Sequence, residues 1–171
     1  MRTKNDYTIN FTGLSFGKHE FEYNVNKFLF EQYEDEDIVD SNIPLKITLD
    51  KEERMLSFNF VFKGVLSVLC DRCLEKLDLK VEGENNLYVK FGEEFLEEDD
   101  DIIVIPNKEH KIDLSHYIYE YILLQKPMQC VHKKGGCNKD MVDRISEINS
   151  DTNNEESVDP RWEALKTIKF E

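Results

Sequence analysis

Apolar and polar residues alternate over much of the chain before residue 106. In the longest run, apolar side chains occupy the even positions from Leu56 to Cys70, and Gly64 interrupts that face. Because successive side chains of a strand point to opposite faces, this run predicts a long, half-buried β-strand. Shorter alternating runs, predicted as further strands, cover residues 7–11, 21–25, 43–49, 77–81 and 87–91, and the apolar residues 102–105 predict a short strand that ends at Pro106.

Three segments between or within these runs need their own interpretation. Gly83-Glu84-Asn85 predicts a turn between two strands, since glycine and asparagine favour turns. Gly64 is a candidate bulge or kink in the longest strand. Residues 26–33 fit either a short helix or the end of a strand.

The apolar spacing changes after residue 112. Asp113 is a candidate N-cap for a helix over 113–125, and Pro127 lies beyond its end. One face of that helix would carry Leu114, Tyr117, Ile118, Tyr121 and Ile122. A weaker helix is predicted over 141–148.

The last segment of the chain combines a polar stretch with an apolar stripe. Residues 149–158 predict a linker, and Asp159-Pro160 is a favourable helix start, followed by Trp162. These patterns divide the chain into a single α+β domain over 1–138, containing both cysteine pairs, and a polar acidic linker with a C-terminal helix over 139–171.

The composition favours an α+β fold built mainly from strands. Hydrophobic residues make up 40% of the chain, with 11 Phe and 7 Tyr, which is enough for a core rich in β-forming side chains. We expect a twisted antiparallel sheet or partly open barrel, packed by the helix over 113–125 and followed by a C-terminal helical arm.

Charge limits the classes of partner. The net charge of −14 disfavours a protein whose whole surface binds nucleic acid or anionic lipid. Acids concentrate in 31–40, 93–101 and 140–160, which are solvated loops or, in the less favoured interpretation, docking surfaces. Residues 121–139 contain four lysines and no acid, so with Lys111 they form the one candidate RNA-binding patch.

The sequence favours a cytoplasmic protein. No stretch approaches the ~20 apolar residues that span a bilayer, and the first residues do not resemble an apolar signal-peptide core. Thiols stay reduced in the cytoplasm, so the four cysteines are interpreted as metal ligands or inert thiols rather than disulfides.

The cysteines form two pairs. Cys70 and Cys73 make a C-x-x-C motif, and Cys130 and Cys137 are separated by six residues. Four thiolates would complete a closed, structural zinc site, with His132 as a possible substitute for one cysteine. Reduced cysteines without metal and a redox C-x-x-C are the alternatives.

Catalytic motifs give little support for an enzyme. The four histidines form no H-E-x-x-H pattern, and the sequence holds no G-x-S-x-G or glycine-rich phosphate loop. We therefore expect a non-enzymatic protein with no small-molecule substrate. The candidate binding residues, which include cations able to offset a thiolate cluster, are Arg72, Lys126, Lys133, Lys134, Lys139, Arg161 and Trp162.

Three motifs together resemble the YceD family of bacterial proteins. They are Cys70-Asp71-Arg72-Cys73-Leu74 after a strand, Ile112-Asp113-Leu114 leading to Lys126-Pro127 and Cys130, and the closing Asp159-Pro160-Arg161-Trp162. Many family members carry further cysteines after the position of Cys130, whereas this chain has Cys137 alone.

The resemblance implies a ribosome-biogenesis factor that supports accumulation of large-subunit rRNA. Its expected partner is a ribosomal protein or a large-subunit rRNA precursor, without a membrane. The alternative is a small zinc-stabilised protein-interaction module unrelated to ribosomes. A metal-dependent enzyme would need an open coordination position, which four thiolates on one metal would exclude.

Overall fold

The computed structural model describes residues 7–99 and 101–152. The strands are β1 (Thr8–Asn10), β2 (Gly17–Asn26), β3 (Ile38–Lys51), β4 (Met55–Leu69), β5 (Lys76–Gly92), β6 (Leu96–Asp99), β7 (Ile102–Pro106) and β8 (Lys111–Asp113). The helices are α1 (Lys27–Glu31), α2 (Ser115–Leu123) and α3 (Lys139–Thr152). These elements confirm the α+β prediction. The helix expected from Asp159 onward lies outside the described residues.

Six strands form one open sheet in the order β2-β3-β4-β5-β7-β6. The sheet does not close into a barrel, since β2 and β6 remain its edges. Neighbouring strands are antiparallel except for β5 and β7, which run parallel. Strands β1 and β8 form a separate two-stranded ribbon. Among the described helices, none is both long and apolar enough to cross a membrane.

The predicted turn at Gly83-Glu84-Asn85 is wrong, because β5 continues through it. Gly83 pairs with Phe62 of β4, and the Phe62 ring lies 2.7 Å from where a Cβ on Gly83 would be. The Asn59 side-chain amide also donates to the side-chain oxygens of Glu84 and Asn86, at 3.0 Å each. The glycine therefore makes room for an aromatic ring instead of reversing the chain.

Gly64 also has a different role from the predicted bulge. The β4–β5 register passes through Gly64 without a shift, and the irregularity on the β3 side lies between Ile38 and Asp40. A Cβ on Gly64 would collide with the Asn42 carbonyl oxygen and lie 2.6 Å from the Ile43 Cα. Glycine is needed here because two strand backbones approach closely.

The inner face of the sheet forms the core with α1 and α2. Even-numbered side chains of β4 are buried as the alternation predicts, including Phe58 and Phe60. The Phe60 ring meets the Tyr121 ring of α2 edge-on at 5.2 Å, and Tyr121 Oη donates to the Asn86 carbonyl at 3.2 Å. The packing of α2 thus holds the start of the following loop against the sheet.

The starts of α1 and α2 settle two further expectations. The ambiguous segment 26–33 contains a helix, with the Asn26 side chain accepting from the Phe28 amide at 3.1 Å. Helix α2 begins later than predicted, so its N-cap is Leu114 rather than Asp113. The Asp113 carboxylate still accepts from the Ser115 amide at 2.9 Å and therefore satisfies one unpaired helix donor.

Candidate metal centre

The first candidate loop is the hairpin connection between β4 and β5. Cys70 follows the last residue of β4, and its amide donates to the Glu75 carbonyl at 2.9 Å. The Leu74 amide donates to the Cys70 carbonyl at 2.8 Å, and Leu74 has a left-handed φ of 59°. This tight turn brings Cys70 and Cys73 to the same side of the loop, where both are buried.

The second loop is anchored on the first by paired hydrogen bonds. The Asp71 amide donates to the Cys130 carbonyl at 2.8 Å, and the Cys130 amide donates back to the Asp71 carboxylate. The loop then turns through Gly135, whose φ of +84° favours glycine, and Gly136. A Cβ on Gly136 would press on His132 at 3.2 Å. The two glycines therefore let the loop bring His132 and Cys137 back to the hairpin.

Four side chains converge where the loops meet. The ligand atoms of Cys70, Cys73, His132 and Cys137 all lie within 4.8 Å of one another. Cys70 Sγ is 4.0 Å from Cys137 Sγ, and His132 Nδ1 is 3.5 Å from Cys73 Sγ and 4.0 Å from Cys137 Sγ.

Two of these three distances lie within about 0.2 Å of those in a tetrahedral zinc site, and the His132–Cys137 distance is about 0.5 Å longer. Zinc–ligand bonds of about 2.3 Å to sulfur and about 2.0 Å to nitrogen place tetrahedral ligands about 3.8 Å apart for two sulfurs and about 3.5 Å for sulfur and nitrogen. Three thiolates and one imidazole are also a common donor set for structural zinc. The chain's own geometry therefore fits this ion.

Cys130, expected as a ligand, lies outside this cluster. Its sulfur donates instead to the Pro127 carbonyl at 3.5 Å, and burial raises the pKa of the thiol, which favours its neutral form. The sequence spacing agrees with His132 as a ligand in place of Cys130. Four residues separate His132 from Cys137, which is within the usual interval for zinc ligands. Cys130 contributes through its backbone, which anchors the loop.

Backbone amides favour a thiolate at Cys70. Burial acts to raise the Cys70 pKa, but hydrogen bonds from the amides of Arg72, Cys73 and His132 outweigh burial and lower the pKa to about 6. The Cys70 sulfur in turn raises the pKa of His132. Burial and the neighbouring sulfurs raise the pKa of Cys137. Amides from both loops thus favour the thiolate form of Cys70.

Groups outside the ligand set orient it and offset its charge. His132 Nε2 lies 3.2 Å from the Lys76 carbonyl oxygen, an arrangement typical of metal-bound histidines. Arg72 Nη1 donates to Cys137 Sγ at 3.8 Å. Three thiolates with Zn²⁺ carry a formal charge of −1, which one guanidinium can balance. The role of the Lys76 carbonyl could not be predicted from the sequence, because every residue has a backbone oxygen and no residue type marks this one.

Five of the predicted basic residues lie on the two loops of this centre or next to them in the chain. Arg72, Lys133, Lys134 and Lys139 are exposed, and Lys126 is half-buried. Within the described part of the chain, none of these five makes an ion pair with an acid. The Asn138 side chain donates to Glu75 at 2.8 Å, which joins the start of α3 to the hairpin. The predicted binding residues Arg161 and Trp162 lie outside the described residues.

The fold and this cluster define the class: an α+β protein in which two loops at one end of the sheet form a candidate structural metal centre. The family model described as "Large ribosomal RNA subunit accumulation protein YceD" matches residues 58–169, more than half of the 171-residue chain. The chain belongs to the YceD family, which confirms the resemblance of its motifs. Comparisons with curated proteins and with solved structures gave no significant match.

Proposed function

We propose that this protein is a non-enzymatic, cytoplasmic binding factor that supports accumulation of large-subunit rRNA. Membership of the YceD family carries the proposal, because the family's description names that role. The matched region begins within β4 and includes all four side chains of the candidate metal centre. The part of the chain that resembles the family is therefore also the part that builds the centre.

In this proposal, Cys70, Cys73, His132 and Cys137 hold one structural zinc ion. Four protein ligands leave no open position for water or substrate, which is the arrangement of structural rather than catalytic zinc. The ion would cross-link two loops that otherwise meet through hydrogen bonds. Its role is to hold those loops, and the basic residues on them, in one arrangement.

The basic residues are the proposed contact with the large-subunit precursor. Arg72, Lys126, Lys133, Lys134 and Lys139 are cations without acidic partners in the described residues, on a chain of net charge −14. Lys and Arg bind nucleic acid chiefly through phosphates. The acid excess elsewhere would repel RNA and restrict the contact to these loops.

Sedimentation tests the function. In a strain depleted of the chromosomal protein, the wild-type chain should restore large-subunit rRNA and travel partly with large-subunit precursors on a sucrose gradient. A Lys133→Gln/Lys134→Gln variant should shift towards the top of the gradient and restore less rRNA. A Lys18→Gln/Lys80→Gln variant removes the same charge from exposed positions on the sheet and should behave as wild type.

Two results would refute the proposal. Depletion that leaves large-subunit rRNA unchanged would remove the assigned role. A zinc-loaded wild-type chain that never sediments with ribosomal particles would instead favour the alternative, a zinc-stabilised protein-interaction module unrelated to ribosomes.

A further inference from the structure

A pair of stacked tyrosines lies on the surface formed by α1 and α2. Tyr33, in the turn after α1, and Tyr119, in α2, have ring centroids 4.2 Å apart and ring planes 18° apart. The His116 ring is 5.9 Å from Tyr33. Phe30, 6.0 Å from Tyr119, is fully buried beneath them. Both tyrosines are only partly buried, so the pair has an exposed side.

Acidic side chains surround the ring pair. Tyr119 Oη donates to Asp35 Oδ2 at 3.5 Å, and Glu120 lies beside Tyr119 in the chain. The neighbouring Glu34 and Glu36 are exposed, and neither makes an ion pair within the described residues. We define the acidic–aromatic patch as Tyr33, Glu34, Asp35, Glu36, Tyr119 and Glu120.

Nearby acids also raise the pKa of both tyrosine hydroxyl groups. Burial raises the pKa of Tyr33, and Asp113 and Glu120 raise it further. Burial and then Asp35 raise the pKa of Tyr119. Both phenols therefore lie in a region of negative potential, which favours a cation over an anion at this surface.

We propose that the acidic–aromatic patch binds a segment rich in arginine and lysine on a partner protein. A guanidinium or ammonium group is attracted to the face of a tyrosine ring, and nearby carboxylates add a charge-assisted hydrogen bond or ion pair. Stacked rings could also accept an RNA base. The six acids over residues 31–40, with no base among them, would repel its phosphates, so the patch selects a cationic peptide.

This inference is independent of the proposed function. The patch shares no residue with the metal centre or with the basic residues on its two loops. The patch and the basic loops carry opposite charge and would contact different partners. Loss of peptide binding and loss of sedimentation with ribosomal particles are therefore separable results.

The test is fluorescence anisotropy with a fluorescein-labelled peptide of alternating arginine and glycine and the zinc-loaded full chain. The wild type should bind, and affinity should fall with added salt, which screens exposed charges. Tyr33→Leu keeps an apolar side chain but removes the aromatic face, so affinity should fall about two- to fivefold. Tyr33→Phe keeps the ring and should bind as wild type.

A matched pair of charge variants tests whether the peptide binds the acidic–aromatic patch itself or any acidic segment of the chain. Glu34→Gln/Glu36→Gln removes two charges from the patch at exposed positions, so the fold should be retained. Glu93→Gln/Glu94→Gln removes two equally exposed charges from another acidic run, where no stacked ring pair is described. Only the first variant should weaken peptide binding, and circular dichroism would verify that both are folded.

Three outcomes would overturn the inference. The first is a wild type that does not bind the peptide, and the second is an equal loss in the two double variants. The third is displacement of the peptide by single-stranded RNA, with RNA binding that Tyr33→Leu also weakens, since this would identify a nucleic-acid surface.

Discussion

His132 Nε2 lies 3.2 Å from the carbonyl oxygen of Lys76, the first residue of β5. A carbonyl can only accept a hydrogen bond, so Nε2 carries the hydrogen and a neutral ring has its lone pair on Nδ1. That lone pair faces the sulfurs of Cys73 and Cys137. The backbone at the start of a strand therefore orients the imidazole as a ligand, independently of any side chain.

The set of four ligands predicts which substitutions remove zinc. Protein purified without chelator should contain one zinc ion per chain by atomic emission. Cys70→Ser and His132→Ala should each lose most of it, because each removes one of four ligands. Cys130→Ser should retain it, because the Cys130 sulfur contacts the Pro127 carbonyl.

Cys130→Ser is the matched control for Cys70→Ser, since it makes the same change at a cysteine that is equally buried. Zinc loss in Cys130→Ser with retention in His132→Ala would restore the four-cysteine set expected from the sequence. A wild type that contains no metal would refute the zinc proposal.

Removal of zinc should loosen the loops and leave the sheet folded. Metal binding contributes to folding when ligands come from separate segments. The core of β3, β4 and β5 is built without these ligands, around fully buried side chains such as Phe60 and Leu87. After a strong chelator is added, amide hydrogen exchange should accelerate in residues 130–142 and stay slow in β4.

Two results would contradict this prediction. Global exchange after chelation would show that the sheet itself depends on the metal. Unchanged exchange in residues 130–142 would show that the ion, if bound, does not hold the loops.

The sequence predicted the long strand and the C-x-x-C motif at its end because both follow from local patterns. Alternation from Leu56 to Cys70 identifies β4 and its buried face without knowledge of the neighbouring strands. The turn assigned to Gly83 failed because its role depends on Phe62, a residue on another strand. The parallel pairing of β5 with β7 also depends on tertiary contacts, and no local periodicity in the sequence predicts it.

For the candidate site too, the sequence predicts the local features but not those that depend on tertiary structure. Residue types identify all of its members, since the sequence offers His132 as a substitute for one of the four cysteines. The choice between His132 and Cys130 depended on the path of one loop, set by the paired hydrogen bonds between Asp71 and Cys130. The stacking of Tyr33 on Tyr119 has no sequence signal, because 86 positions separate them and they meet through the packing of α1 and its following turn against α2.

Gly64→Ala should be strongly destabilising. The added Cβ would meet the backbone of Asn42 and Ile43, which cannot withdraw without breaking the β3–β4 pairing. Overpacking of this kind costs about 1–3 kcal/mol in the free energy of unfolding. Urea denaturation would measure it.

Gly13→Ala is the control for Gly64→Ala. An added Cβ on Gly13 meets nothing within 4 Å, and its φ is not left-handed. A glycine-to-alanine change at such a position stabilises by about 0.4–1 kcal/mol by restricting the unfolded chain. Equal effects of the two substitutions would show that the close approach at Gly64 does not limit stability.

The buried Ser67 hydroxyl should control an acid-sensitive contribution to stability. It donates to Asp78 Oδ1 at 2.6 Å on the polar face of the sheet. This hydrogen bond, and to a smaller extent Lys76, lowers the Asp78 pKa below its ordinary value of 3.8. A carboxyl group with a lowered folded-state pKa stabilises the protein above its unfolded-state pKa, and the contribution is lost as pH falls through the folded-state pKa. Ser67→Ala should therefore raise the Asp78 pKa and reduce the loss of stability on acidification.

Carbon-detected NMR titration of the Asp78 carboxyl group would measure this change, with urea denaturation across the acidic range as the stability readout. Lys76→Gln should raise the Asp78 pKa less than Ser67→Ala, since the serine hydrogen bond is the larger cause. Its backbone carbonyl is unchanged, so the contact with His132 should persist and zinc content should not fall. An unaltered Asp78 pKa in Ser67→Ala would mean that the hydroxyl does not stabilise the carboxylate, and that another group lowers its pKa.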